Sequence, residues 1–293
     1  MSDPRPIGVF DSGVGGLTVL REIVRRSPAE STIYLGDNAR APYGVRPDEE
    51  VLAFSTECLD RLVEQDVKAI VVACNTSTAV GIVAFRRRYA IPILGVIRPG
   101  ATAAALATRD GQVGVIATPA TIRSHAYLRA ITDEDPSVRV VEHATPTLVP
   151  FVEAGVLAGA TAEAAVADAL APLFQPSDAP IDTLLLGCTH YPLLRPIIAA
   201  LAGPQVAIVD SATATASALA DMLDINGLRS RDQSAESAAG ADGSDGVAPP
   251  SASPGTHRQL TTGDPETFHA LASRLFGAAF PDVEQIDVPV AAR

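Results

Sequence analysis

The chain has 293 residues, 47% of them hydrophobic and 19% charged, and a net charge of −12. That length suggests about two domains, and the composition supplies packed cores, which excludes a disordered chain. The acidic balance argues against a phosphate-neutralising surface and so against nucleic acid as a partner. No apolar run approaches the roughly 20 residues that span a membrane. The opening Met1-Ser2-Asp3-Pro4-Arg5-Pro6 runs straight into a strand pattern without a leader, so a cytoplasmic location is expected.

The first predicted strand, residues 7–10, ends in Asp11-Ser12-Gly13-Val14-Gly15-Gly16, and a helix with Leu17, Leu20, Ile23 and Val24 on one face follows. This glycine turn invites a nucleotide-binding reading, but the dinucleotide fingerprint needs glycine at Thr18, and the P-loop's Gly-Lys pair is absent. The glycines still suit a tight turn whose N–H groups and following helix terminus could hold a carboxylate. A second strand, 32–35, ends in Gly36-Asp37. The next helix turns Val51, Phe54, Cys58 and Leu62 to one side, which makes Cys58 a core residue. The polar connection Gln65-Asp66-Val67-Lys68 carries the only lysine of the chain, expected in a solvated turn. Pyridoxal phosphate is held as a Schiff base on lysine, so that cofactor is not expected.

Strand 69–73 runs into Cys74-Asn75-Thr76, and the helix after it ends in Arg86-Arg87-Arg88, which complement its dipole. Further strands are expected at 93–96, at 113–117 before Thr118 and Thr121, at 138–141, at 183–186 before Cys188-Thr189-His190, and at 206–209. Residues 227–257 are rich in Ser, Ala, Gly, Asp and Pro and predict a flexible insertion. Regular structure resumes near Arg258, and Gly263-Asp264-Pro265 starts a helix with Phe268, Leu271 and Leu275 on its apolar positions.

Short, almost uninterrupted apolar strands alternating with helices predict an α/β protein with doubly wound, mainly parallel sheets. The chain also resembles itself. Ile70-Val71-Val72-Ala73-Cys74-Asn75-Thr76 has the form of Leu184-Leu185-Leu186-Gly187-Cys188-Thr189-His190, and Ile7-Gly8-Val9-Phe10-Asp11-Ser12 that of Val113-Gly114-Val115-Ile116-Ala117-Thr118. Two related units, each with one strand-end cysteine, would explain both. Ligands of open α/β sheets bind beyond the carboxyl ends of the strands, where these polar clusters collect. Three cysteines without a CxxC pair give neither a disulfide framework nor a zinc site. Two opposed thiols can instead invert an α-carbon, one removing a proton from one face and the other returning one to the opposite face. A free thiol is only a few per cent thiolate at pH 7. Each therefore needs a proton-handling neighbour: His190 for Cys188, and Asp11 for Cys74.

On these motifs the chain resembles the glutamate racemases of the aspartate/glutamate racemase superfamily. Further matching motifs are Tyr34-Leu35-Gly36-Asp37 with Pro42-Tyr43-Gly44, Thr118-Pro119-Ala120-Thr121-Ile122, Val149-Pro150-Phe151-Val152-Glu153-Ala154-Gly155 and Thr262-Gly263-Asp264-Pro265. The resemblance implies two pseudo-symmetric domains, 1–97 plus 208–293 and 98–207, with the active site in the cleft between them. It implies cofactor-independent proton transfer by Cys74 and Cys188, assisted by Asp11 and His190. Substrate contacts would fall on Asp11, Ser12, Tyr43, Gly44, Asn75, Thr76, Thr118, Thr121, Thr189 and His190. The product, D-glutamate, would feed peptidoglycan synthesis. A homodimer is implied as well, and binding to DNA gyrase is a second activity known in the family. The alternatives are a racemase for aspartate or another acidic amino acid, and a gyrase-binding protein on the same fold. Arg98, Thr145 and Ala214 depart from the family pattern, where Glu, Cys and an acid are common.

Overall fold

The computed structural model describes residues 3–175, 178–230, 254–277 and 283–288. Every strand pairing in it is parallel. The first half alternates β1 (Ile7–Asp11), α1 (Leu17–Arg26), β2 (Thr32–Gly36), α2 (Asp48–Glu64), β3 (Ala69–Val72), α3 (Asn75–Arg88) and β4 (Ile93–Gly95). The second runs through α4 (Ile97–Ala107), β5 (Gln112–Ala117), α5 (Pro119–Arg123), α6 (Ala126–Glu134), β6 (Arg139–Ala144), α7 (Leu148–Glu153) and α8 (Ala160–Leu170). It continues with β7 (Thr183–Gly187), α9 (Arg195–Ala202), β8 (Ala207–Asp210) and α10 (Ser211–Ile225). After the described break come β9 (His257–Thr261), α11 (Pro265–Phe276) and β10 (Val283–Gln285). Among the described residues, no helix is long and apolar enough to cross a membrane.

The sheet orders are β10-β9-β2-β1-β3-β4 and β6-β5-β7-β8. With β9 and β10 set aside, the first reads β2-β1-β3-β4, the same arrangement as the second. The short sequence echoes therefore reflect a repeated unit: β1 corresponds to β5 and β3 to β7. All residues of β1, β2, β3 and β7 are buried, as expected of strands covered by helices on both faces. One core cluster includes Val9, Leu20 and Tyr34 together with Ile116, Leu186 and Leu223, so apolar packing ties the two sheets together. α10 lies against both α1 and α4.

The C-terminal segment adds two strands that the apolar pattern did not predict. His257-Arg258-Gln259 reads as polar, yet β9 pairs along β2 from Thr32–His257 to Gly36–Thr261. The central part of the expected insertion, 231–253, lies outside the described residues, but its two ends are held in place. Leu228 packs against the core, and the Gly255 amide donates to the Pro28 carbonyl at 2.8 Å.

Lys68 corrects the expectation of a solvated turn. It is wholly buried, and its Nζ donates to Glu30 Oε2 at 2.5 Å, to the Asp3 carbonyl at 2.7 Å and to Ser230 Oγ at 3.0 Å. It precedes β3 and so sits at the opposite end of that strand from Cys74. Burying an ammonium is tolerable only when it is paired and hydrogen-bonded, and here both conditions are met. Lys68→Met would leave the buried Glu30 carboxylate without a cation. A loss of about 3–5 kcal/mol in urea unfolding is expected, and a loss below about 1 kcal/mol would contradict the pairing.

Candidate active site

In each sheet the chain steps from a first strand to one neighbour and then crosses to the other side. β1 and β5 are those first strands, and the crevices between β1 and β3 and between β5 and β7 are the switch points where such sheets bind ligands. Asp11 and Cys74 stand at the first switch point, Thr118 and Cys188 at the second. Both thiols open onto one cavity lined from both sheets.

Cys74 is the N-cap of α3, and its Sγ accepts the Ser77 amide at 3.4 Å. A helix N-terminus favours thiolate, yet here the opposing effect wins. Burial, reinforced by the charge of Asp11, pushes Cys74 up from 9.0 to about 11 against its hydrogen bonds with Ser12 and Ser77. The hydrogen-bonded side-chain neighbour on the cleft side is Ser12 Oγ, at 3.5 Å. Asp11, the expected assistant, reaches Cys74 through its charge. Its own carboxylate is wholly buried and accepts the Gly13 amide at 3.0 Å, the Gly16 amide and, at 3.4 Å, Thr189 Oγ1. The amides of the glycine turn that could have held a ligand carboxylate are thus directed at Asp11. Burial raises the Asp11 carboxyl, while His190 and these donors oppose the rise.

The second thiol sits beside a hydrogen-bonded histidine. Cys188 Sγ lies 3.8 Å from His190 Nδ1, and His190 Nε2 lies 3.2 Å from Glu153 Oε1 at the end of α7. Burial works against an imidazolium, but the hydrogen bonds to Cys188 and Glu153 outweigh it and hold His190 up at about 10. His190 is therefore protonated at neutral pH. Gly15 explains part of the glycine motif, because a Cβ there would stand 2.4 Å from Thr189 Oγ1 and 2.5 Å from His190 Nδ1. Only a bare backbone permits this approach of the first turn to the second thiol's neighbours.

Along the same cavity, Thr76 of α3 meets the second sheet's threonines. Its Oγ1 is 2.9 Å from that of Thr118 and 3.4 Å from that of Thr121, and the last two are 3.1 Å apart. Ser12, Tyr43, Gly44, Asn75, Thr76, Thr118, Thr189 and His190 all line the cavity, whereas Asp11 and Thr121 stand behind its wall. Asn75 turns its amide to Tyr127 Oη at 2.8 Å, which in turn is 2.9 Å from Ser211 Oγ. Glu153 is the residue that sequence reasoning passed over. It sits inside a quoted motif, but nothing in its local spacing signals a partner 37 positions further on. Pro146, Val149 and Pro150 supply an apolar wall, of which only Val149 and Pro150 fall in a matching motif.

The sequence pattern of the Asp/Glu/hydantoin racemase family matches residues 7–219. The glutamate racemase of Shouchella clausii is 44% identical, over 92% of this chain and 89% of that one. The chain belongs to the glutamate racemases of this family. Among solved structures, the glutamate racemase isoform RacE1 of Bacillus anthracis superposes with a TM-score of 0.87, at 40% identity over 98% of both chains. The Francisella tularensis glutamate racemase, solved in complex with D-glutamate, gives 0.83 at 31% identity over 98% of both chains.

Two departures from the family pattern have evident local consequences in this racemase. Thr145, where Cys is common, donates from Oγ1 to Tyr191 Oη at 2.7 Å, and Tyr191 donates to the Thr145 carbonyl at 3.0 Å. That pair sits just before Pro146 of the cleft wall. Arg98, where Glu is common, faces Glu134 of α6 at 3.4 Å on the surface. Ala214 lies half-buried in α10, and nothing in the structure explains it.

Proposed function

We propose that this chain interconverts L- and D-glutamate by passing the α-proton between Cys74 and Cys188, without a cofactor. The observation that carries this reading is the equivalence of the two thiols: each follows the matching strand of a repeated unit, and both line one cavity. One cysteine, as thiolate, forms an S–H bond as the Cα–H bond breaks, and the electron pair moves into the neighbouring carboxylate. The other thiol then gives its proton to the opposite face. The enzyme is left with the proton on the first cysteine, ready for the reverse turnover or for exchange with solvent. Ser12 and Asp11 serve the Cys74 side, His190 and Glu153 the Cys188 side. Hydroxyls of Ser12, Thr76, Thr118 and Thr189, the Asn75 amide and the backbone of Tyr43 and Gly44 suit two carboxylates and an ammonium group. Asp11 and Thr121 support that shell from behind.

The two sheets are read as two domains, with crossings near residue 97 and, in place of the expected 208, after Asp210, because β8 (Ala207–Asp210) pairs in the second sheet. A homodimer, a cytoplasmic location and supply of D-glutamate to peptidoglycan belong to the same reading. DNA gyrase as a partner rests on the family resemblance alone. The direct test is chiral chromatography of L-glutamate incubated with purified protein and no pyridoxal phosphate. D-Glutamate rising to an equal mixture, with L-aspartate unchanged, is the expected result. Turnover of aspartate in place of glutamate would contradict the substrate, and turnover of neither would contradict the function.

The pH behaviour of Cys74 gives a second check. With a folded value near 11 against 9.0, the thiol stays protonated through neutral pH and ionises only as pH rises. Carboxymethylation at Cys74, followed by peptide mass spectrometry, should therefore climb about tenfold per pH unit well beyond pH 9. A plateau above pH 9 would show an unshifted thiol.

A further inference from the structure

The segment Ala41–Val45 forms one wall of the cleft, and what fixes it lies behind that wall. Arg40 immediately precedes it and does not itself line the cavity. Its guanidinium donates from Nε to Asp37 Oδ2 at 2.7 Å and from Nη1 to Glu57. Nη2 donates to the Phe54 carbonyl at 3.5 Å and to Cys58 Sγ at 3.4 Å, and the group stacks 4.4 Å from the Phe54 ring centroid. One planar fork thus joins Asp37 to Phe54, Glu57 and Cys58 of α2, a task that a point-charge ammonium performs poorly. Asp37 is wholly buried and accepts, besides Arg40, the Tyr43 hydroxyl and Thr262 Oγ1 at 2.6 Å. The far end of the segment meets the second sheet. The Gly44 carbonyl accepts the Ala120 amide of α5 at 2.9 Å, and a Cβ on Gly44 would stand 2.5 Å from Thr118 Cβ.

We infer that Arg40 is a positioning residue for substrate binding: it fixes the cleft segment Ala41–Val45, so that Tyr43 and Gly44 stand correctly against Thr118 across the cleft. The physical reason is the pairing of charges. Without Arg40, the wholly buried Asp37 carboxylate loses the guanidinium that lies against it, and a carboxylate no longer held in place releases Tyr43. The thiols and His190 are untouched by that release. The inference rests on the proposed racemisation of glutamate.

The test compares wild type with Arg40→Met and Arg40→Lys for KM and kcat in both directions, with thermal midpoints by circular dichroism. Arg40→Met is expected to raise KM for both enantiomers at least about tenfold, while kcat falls less than about threefold. The ratio of α-proton exchange from the two enantiomers should stay unchanged, and Arg40→Lys should recover part of the KM. A folded Arg40→Met with unchanged KM overturns the assignment, as does a loss of kcat that tracks a lowered midpoint alone. Should Arg40→Met not fold, Thr262→Val removes another anchor of Asp37 and is expected to raise KM at least about threefold. An unchanged KM there overturns the inference equally. Absence of turnover by the wild type overturns the functional reading as well, whereas an active wild type with unaffected variants overturns this inference alone.

Discussion

Replacing either Cys74 or Cys188 with alanine is expected to lower racemisation in both directions by at least about 10³-fold. The size follows from the chemistry. Each direction needs one group to remove the α-proton and another to supply a proton on the opposite face, so neither thiol is dispensable in either direction. The fold should survive, because each change trades a small buried side chain for one slightly smaller, on the wall of a cavity. Circular dichroism on both variants provides that control. Residual turnover within about tenfold of wild type in either variant would contradict the two-thiol mechanism. Cys58 has no such role: it is buried between Arg40 and the core, and burial pushes its thiol far above the usual range.

His190→Asn should produce an asymmetric defect. His190 stands between Cys188 and Glu153 and is held protonated by both, with a value near 10. Asparagine can fill the space and keep one hydrogen bond, but it cannot exchange a proton with the thiol. Wash-out of the α-proton in D₂O from the enantiomer deprotonated by Cys188 is expected to slow by about 10²–10³-fold. The opposite enantiomer, whose proton goes to Cys74, should lose markedly less at that step. Equal losses for the two enantiomers would argue that His190 only shapes the cleft. The wild-type pH profile should carry the same signature. Above pH 10 the imidazolium is lost, so steps that need the His190 proton should fall as pH rises through that value, while Cys74 is only then ionising. In His190→Asn the falling limb should vanish and the rising one remain.

Much of this was legible in the sequence because the strands are buried on both faces, and nearly continuous apolar runs identify such strands directly. The repeat was legible for the same reason: equivalent strands end in equivalent cysteines, and the topology turned those ends into the two switch points. What escaped was chemistry created by distant pairing. Glu153 gains its meaning from His190, and the Asp37–Arg40 pair from Tyr43, Glu57 and Thr262, all through folded proximity that no local spacing announces. β9 escaped because an added strand beside β2 can carry polar residues, His257 and Arg258, where its environment leaves room for them. Lys68 looked like a turn residue because its partners Asp3, Glu30 and Ser230 come from three separate stretches of chain. The glycine turn was read correctly as tight, but its amides face Asp11, which the order of residues alone could not decide.

The central claim is that two different groups handle the proton on the two faces. The measurement that tests it most directly is the initial rate of L-glutamate turnover in D₂O, with product and recovered substrate separated and their α-positions examined by proton NMR. The account predicts that the first D-glutamate formed carries deuterium while the remaining L-glutamate keeps its protium, because the returning proton comes from the opposite, solvent-equilibrated thiol. Protium retained in the first D-glutamate, or deuterium entering substrate as fast as product, would mean that a single base serves both faces and would contradict the account.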